Sequence, residues 1–316
     1  MQTFSCYYLL ICVICDISTD QQTQMVKLKT TPIVAPDLIE YLDEHSDFSF
    51  EIETLRALIK LGFTCEHGGT YEDPATQKPR EYDIRATCQI EEKLLRLAVE
   101  CKNIRPNFPL LISCLPRRPE EAFHELSISV KPRTEIQTEF GTTQRLTPTN
   151  LARISHAQIH RLENTDSLYP AGKSVGKSCD QVGRSNNGAE IISGDSSIYD
   201  KWSQALSSVH DLISLIFSDG ERIGKQAASL VFPLVVVPNN RLWCVKYDVD
   251  GNRISDPELV NRCSFFVNRK YFYQLSSGKK KFVISHLEFV TSDGLLEFVN
   301  YLCSKDAKKL FSKNTY

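Results

Sequence analysis

Three residues in two short apolar runs have the types and the spacing to hydrolyse a phosphodiester: Asp83, Glu100 and Lys102. Glu100 and Lys102 stand two apart in LLRLAVECKNI (94–104), so on a strand they project from one face, and Asp83 in YDIRATCQI (82–90) lies on the neighbouring strand of a hairpin. Two carboxylates converging there offer hard oxygen ligands to a divalent cation. An ammonium beside them can orient or activate a water and stabilise a pentavalent phosphate. Glu51, on the preceding helix, could supply a further carboxylate. The pattern is short, and Glu91-x-Lys93 and Asp306-x-Lys308 repeat its spacing. Only Glu100 and Lys102, however, interrupt a hydrophobic strand, where unpaired ions are costly and ask for a compensating partner or a metal. The competing reading of the same residues is a cross-strand salt bridge near a strand end.

The elements that must position these groups are legible from periodicity. FSFEIETLRALIKLGF (48–63) is an amphipathic helix ended by Gly62, with Glu53, Arg56 and Lys60 on its polar stripe and Glu51 in register with the inward Leu55 and Leu58. A turn-rich stretch (Gly68, Gly69, Asp73, Pro74, Pro79) leads into the hairpin of Asp83 and Glu100, whose turn is Glu91-Glu92-Lys93. Residues 105–197 are polar and weakly periodic, and read as an insertion with short helices near 119–126 and 150–162. A second strong helix spans 197–217, carrying Trp202, Leu206, Val209, Leu212, Ile213 and Ile216. Strands at 230–237 and 241–247 join through Pro238-Asn239-Asn240, followed by strands near 264–273 and 281–290 and a helix near 292–303. This order is that of an α/β domain over 36–316, without internal repeats.

Inward Glu51, then Tyr82-Asp83, then Val99-Glu100-Cys101-Lys102 resembles the PD-(D/E)xK nuclease superfamily, most closely its Mrr-type restriction-endonuclease branch. The resemblance covers roughly 48–104, with the helix at 197–217 and the strands at 230–247 completing the core. It implies a restriction-endonuclease-like fold, a central mixed β-sheet flanked by helices, interrupted here by a large insertion. It further implies a Mg²⁺-dependent endonuclease, with Mn²⁺ able to substitute, that hydrolyses double-stranded DNA. Asp83, Glu100 and Glu51 would be the metal-side carboxylates and Lys102 the catalytic lysine, and Gln204 would match a polar residue that relatives carry on the second helix. Tyr82 replaces the proline of the family's name motif, which leaves the carboxylate intact. Two alternatives share this core: a nucleic-acid-binding or regulatory protein with a decayed site, and a repair or resolvase nuclease. Cutting both strands implies a homodimer or a paired encounter.

Composition sets limits on these readings. With 37 basic and 39 acidic residues among 316, a net charge of −2 offers no overall attraction to phosphate, so any nucleic-acid contact must be local. Eleven scattered cysteines make no disulfide framework and point to a reducing cytoplasm, where Cys88, Cys101 and Cys244 act as small hydrophobes in strands. The apolar stretch 7–15 is far shorter than the ~20 residues of a membrane span, so no membrane association is expected. No positive charge precedes Lys27, and Met25 is the only other methionine, so residues 1–35 read as an N-terminal leader, or translation starts at Met25 and residues 1–24 lie upstream of it.

Several motifs are set aside. Ala171 to Ser178 fits a relaxed P-loop but lacks the flanking strand and helix, and reads instead as a basic loop able to touch DNA backbone. His156 and His160 share an i, i+4 spacing without a partner motif, and Cys12-x-x-Cys15 lacks further ligands. Asp248 to Asn252 reads as a turn, Lys279-Lys280-Lys281 as a solvated turn, and Trp243, Tyr271, Phe272 and Tyr273 as core.

Overall fold

A computed structural model describes residues 30–304, apart from 45, 74–75, 91–92, 131–155, 164–167, 186–187, 189, 195, 223–226 and 276–277. Most of the leader, Cys12-x-x-Cys15, the start at Met25 and the Asp306-x-Lys308 repeat lie outside the described residues.

Two helices, α1 (Ala35–Glu44) and α2 (Phe48–Lys60), precede an antiparallel meander of β1 (Thr64–Glu72), β2 (Pro79–Ile90) and β3 (Lys93–Cys101). Helix α2 buries Phe50, Thr54 and Leu58, and stops where Gly62 takes φ +87°, a conformation that side chains resist. Next come β4 (Leu110–Pro116), β5 (Phe123–Val130), β6 (His156–Glu163), β7 (Ser174–Arg184) and β8 (Ile191–Gly194), and then the long helix α3 (Ser196–Arg222). The chain ends in β9 (Ala227–Val237), β10 (Leu242–Lys246), β11 (Glu258–Leu259), β12 (Arg262–Leu275), β13 (Gly278–Thr291) and α4 (Ser292–Cys303).

Among the described residues these strands form one mixed sheet of 13, in the order β1-β2-β3-β9-β13-β12-β7-β4-β10-β11, with β5 branching from β9, β6 from β5 and β8 from β7. Strands β3, β9 and β13 run parallel at its centre. The sequence of β9, AASLVFPLVVV, is apolar almost throughout because both of its faces are covered. Leu230, Phe232, Leu234 and Val236 face the core formed with α2 and α4, which includes Phe50, Leu58, Phe298 and Leu302. On the opposite face, Val231 of β9 and Ala98 of β3 meet Val209, Leu212, Ile213 and Ile216 of α3. Helices thus cover both faces, which is the α/β architecture expected. No helix among the described residues is long and apolar enough to cross a membrane.

The stretch 105–197 departs from expectation. The helix near 119–126 is a single 3-10 turn at 119–121 followed by β5, and the described part of 150–162 is strand β6. The cause is the sheet: β5 pairs with both β6 and β9, so interstrand hydrogen bonds override a weak local helical pattern. Nor is the stretch an appendage, since β4 and β7 are interior members of the sheet. Ala171 to Ser178 is a turn running into β7, not a loop, and Lys177 pairs with the buried Glu121. His160 lies on a strand rather than a helix. Strands β9 and β10 are not partners, because β10 pairs with β4 and β11. Tyr271 and Tyr273 are core as expected, whereas Phe272 between them is exposed with Lys279 over its ring.

Candidate active site

Alternation along β2 and β3 decides which side chains meet. Ile84 and Ala86 of β2 and Leu97, Val99 and Cys101 of β3 enter the core under α2, so Asp83, Arg85, Ala98 and Glu100 must point the other way, toward α3. The ladder pairs Ile84 with Val99, which sets Asp83 one step further on, opposite Glu100. Arg85 fixes the helix above them: it donates to Asp211 at 2.7 Å while its guanidinium lies 4.0 Å over the Tyr82 ring.

Under the start of that helix, Lys201 reaches down to both carboxylates. Its Nζ donates to Asp83 Oδ2 at 2.8 Å and stands 3.6 Å from Glu100 Oε2. Asp83 Oδ2 also accepts from the backbone N–H of Cys101 at 2.7 Å. Glu100 itself is fully buried, and neither of its oxygens has a hydrogen-bond partner. Burial, with the adjacent Asp83 charge, holds its carboxyl well above the usual range. Burial alone would lower the Lys201 ammonium, but Asp83 and Glu100 outweigh it and raise its pKa.

Glu51 faces this cluster and Glu53 is exposed, the arrangement the helical register requires. Glu51 Oε2 lies 3.3 Å from His67 Nε2 on β1, and its carboxyl is raised by burial and then by the charge of Asp83. Lys102 departs from the simple picture. Strand β3 ends at Cys101, and although the Lys102 N–H still bonds Val236 O at 2.9 Å, its ammonium pairs with Asp47 at 3.1 Å. Asp47 also accepts from the backbone N–H of Asn103 at 2.7 Å, so it fixes the turn that carries the lysine.

Lys102 opens onto a cleft of about 350 Å³ whose lining includes Arg105, Phe108, Gln181 and Arg184. Three cations and no carboxylate line it, a local surface suited to phosphate on a chain of net charge −2. Two of those residues, Gln181 and Arg184, come from β7, inside the stretch that reads as an insertion.

The sequence pattern therefore brings together Asp83, Glu100 and Glu51, and sets Lys102 at their margin. It missed Lys201 and Asp47. Lys201 sits one helical turn before Gln204 on the second helix, where the backbone carbonyl of Gln204 accepts from Tyr71 Oη at 3.4 Å. Asp47 carries no motif, since it acts through a turn 55 residues from its partner. Compared with family models, with curated proteins and with solved structures, the chain matches none, so its assignment rests on this geometry.

Proposed function

We propose that the protein is a metal-dependent endonuclease that hydrolyses phosphodiester bonds of double-stranded DNA, of restriction or defence type. One observation carries the reading: the Glu100 carboxylate is enclosed against a second carboxylate with neither oxygen hydrogen-bonded, and its nearest cation is the Lys201 ammonium at 3.6 Å. One ammonium facing two enclosed carboxylates leaves their charge and their lone pairs incompletely matched, which a divalent cation would complete. Helix α2, the β2-β3 hairpin, α3 and β9, with β9 beside β3, are the elements to which the resemblance assigns this core, and they lie together here.

The residues fit a hard divalent cation. Asp83 and Glu100 would hold Mg²⁺ or Mn²⁺, with Glu51 alongside, and the ion would supply positive charge to the phosphate oxygens as the bond breaks. The remaining work falls to side chains. Arg105 and Arg184 would grip the backbone in the cleft, and Lys102, held by Asp47, would orient the attacking water and stabilise charge on phosphorus. Lys201 compensates the two carboxylates between turnovers. Water attacks phosphorus, the bond to the leaving oxygen breaks, and that oxygen takes up a proton. Cleavage of both strands calls for two copies, each offering one site.

Lys201 also supports a second reading, because an ammonium already bridging both carboxylates is what a decayed, DNA-binding core would show. The test is Mg²⁺- or Mn²⁺-dependent cleavage of methylated and unmethylated plasmid, with Lys102→Ala and Glu100→Gln as controls and metal binding followed by calorimetry. Cleavage lost in both variants is the expected result. Wild-type protein that neither cuts nor binds metal would overturn the first reading and favour the second.

A further inference from the structure

Away from the carboxylates, three cysteines from distant parts of the chain converge inside the sheet. Cys114 of β4, Cys244 of β10 and Cys263 of β12 are all buried, and their sulfurs lie within 4.8 Å of one another. The Cys114 and Cys263 sulfurs are 3.7 Å apart. Strand β7 runs between β4 and β12, and at the crossing it carries Gly176, paired with both Cys114 and Phe265. A side chain there would strike Ile112 and Phe265 at 2.7 Å, so glycine permits the close approach that brings the two cysteine-bearing strands together.

We propose that Cys114, Cys244 and Cys263 form a closed site for one soft monovalent d¹⁰ ion, Cu⁺, bound by three thiolates. Metal–sulfur bonds near 2.3 Å place three sulfurs about 4.0 Å apart around a planar three-coordinate ion, which the observed separations approach with little movement. Soft thiolates select copper(I) or zinc, and among the described residues no fourth donor completes the tetrahedron that zinc prefers. A disulfide would use two of the sulfurs and strand the third. Binding replaces thiol protons by the ion and releases them to solvent, leaving negative charge. Lys246 is placed to offset it: it follows Cys244 by two residues on the same face and pairs in register with Cys114. Its partner Glu258 lies on the exposed two-residue strand β11 at the sheet edge, in register with Cys244.

The test uses the full chain, reduced and stripped with chelator, titrated anaerobically with Cu⁺ against a colorimetric Cu⁺ chelator, and in parallel with Zn²⁺. One tight equivalent of Cu⁺ is expected. It should be lost in Cys114→Ser, Cys244→Ser and Cys263→Ser, and kept in Cys88→Ser and in a Cys12→Ser, Cys15→Ser double variant. Because a core cysteine variant can misfold, X-ray absorption on the loaded wild-type protein provides an independent reading, with three sulfur neighbours expected. A tight equivalent that survives Cys263→Ser, a two-sulfur environment, tighter retention of Zn²⁺ than of Cu⁺, or no tight binding would each overturn the assignment.

Discussion

Glu100 and Glu288 are both fully buried carboxylates on central strands, and the fold treats them in opposite ways. Glu288 on β13 accepts from Arg262 Nε at 2.7 Å and Nη2 at 3.2 Å, and Ser264 Oγ reaches its oxygens at 3.0 and 3.1 Å. Glu100 on β3 has no hydrogen-bond partner, only the Lys201 ammonium at 3.6 Å and a second carboxylate beside it. The same residue type at the same burial is thus completed in one place and left incomplete in the other. A completed carboxylate holds structure together. An incomplete one fits the metal site proposed above, where stability would be given up for function.

The strongest way to break this contrast is by stability. Glu288→Gln leaves the partly buried Arg262 without its charge partner and is expected to destabilise the fold by about 1.5–3 kcal/mol in urea melts. Glu100→Gln removes a repulsion and should leave the metal-free protein as stable or more so. Equal losses in the two variants would erase the distinction.

Activity should invert that order. Glu100→Gln or Asp83→Asn is expected to slow plasmid cleavage by about 10²–10³-fold, some 3–4 kcal/mol of transition-state stabilisation. Glu288→Gln, assayed at a temperature where it is folded, should cut at near the wild-type rate.

Lys201→Met sharpens the comparison further, since it removes the one ammonium that faces both Asp83 and Glu100 among the described residues. A loss of about 1–3 kcal/mol is expected in EDTA, as buried acceptors lose their donor, and Mg²⁺ should restore most of it. Failure of Mg²⁺ to restore stability would mean that Lys201 is structural.

The smallest effect is in pH. Burial and then the Asp83 charge raise the Glu100 carboxyl, and Glu51 shifts the same way from burial first. A metal bound as proposed would displace protons from these groups, so Mg²⁺ affinity should climb as pH rises above the ordinary carboxylate range. The metal-free fold runs the other way: a raised carboxyl binds its proton more tightly when folded, so stability falls as pH climbs from the unfolded pKa through the folded one. Calorimetry and melts across that window read both slopes.

Local pattern was enough for the site's carboxylates and the elements beneath them. Helical period placed Glu51 inward and Glu53 outward, and the alternation of LLRLAVEC put Glu100 opposite the apolar face of β3, because both follow from backbone geometry within a few residues. The strands of 105–197 were hidden, since β5 and β7 are strands by virtue of neighbours such as β9 and β4, which the local polar sequence does not announce. Lys201 and Asp47 were hidden for the same reason: each is defined by a partner 118 or 55 residues away. The three cysteines behave alike. Their burial in strands is a local property, but their meeting depends on the order in which β4, β7, β10 and β12 enter the sheet. Sequence by itself therefore determined which faces carry charge, because periodicity is local. Only tertiary structure decided which charges and thiols share a space, because strand order is set by long-range pairing.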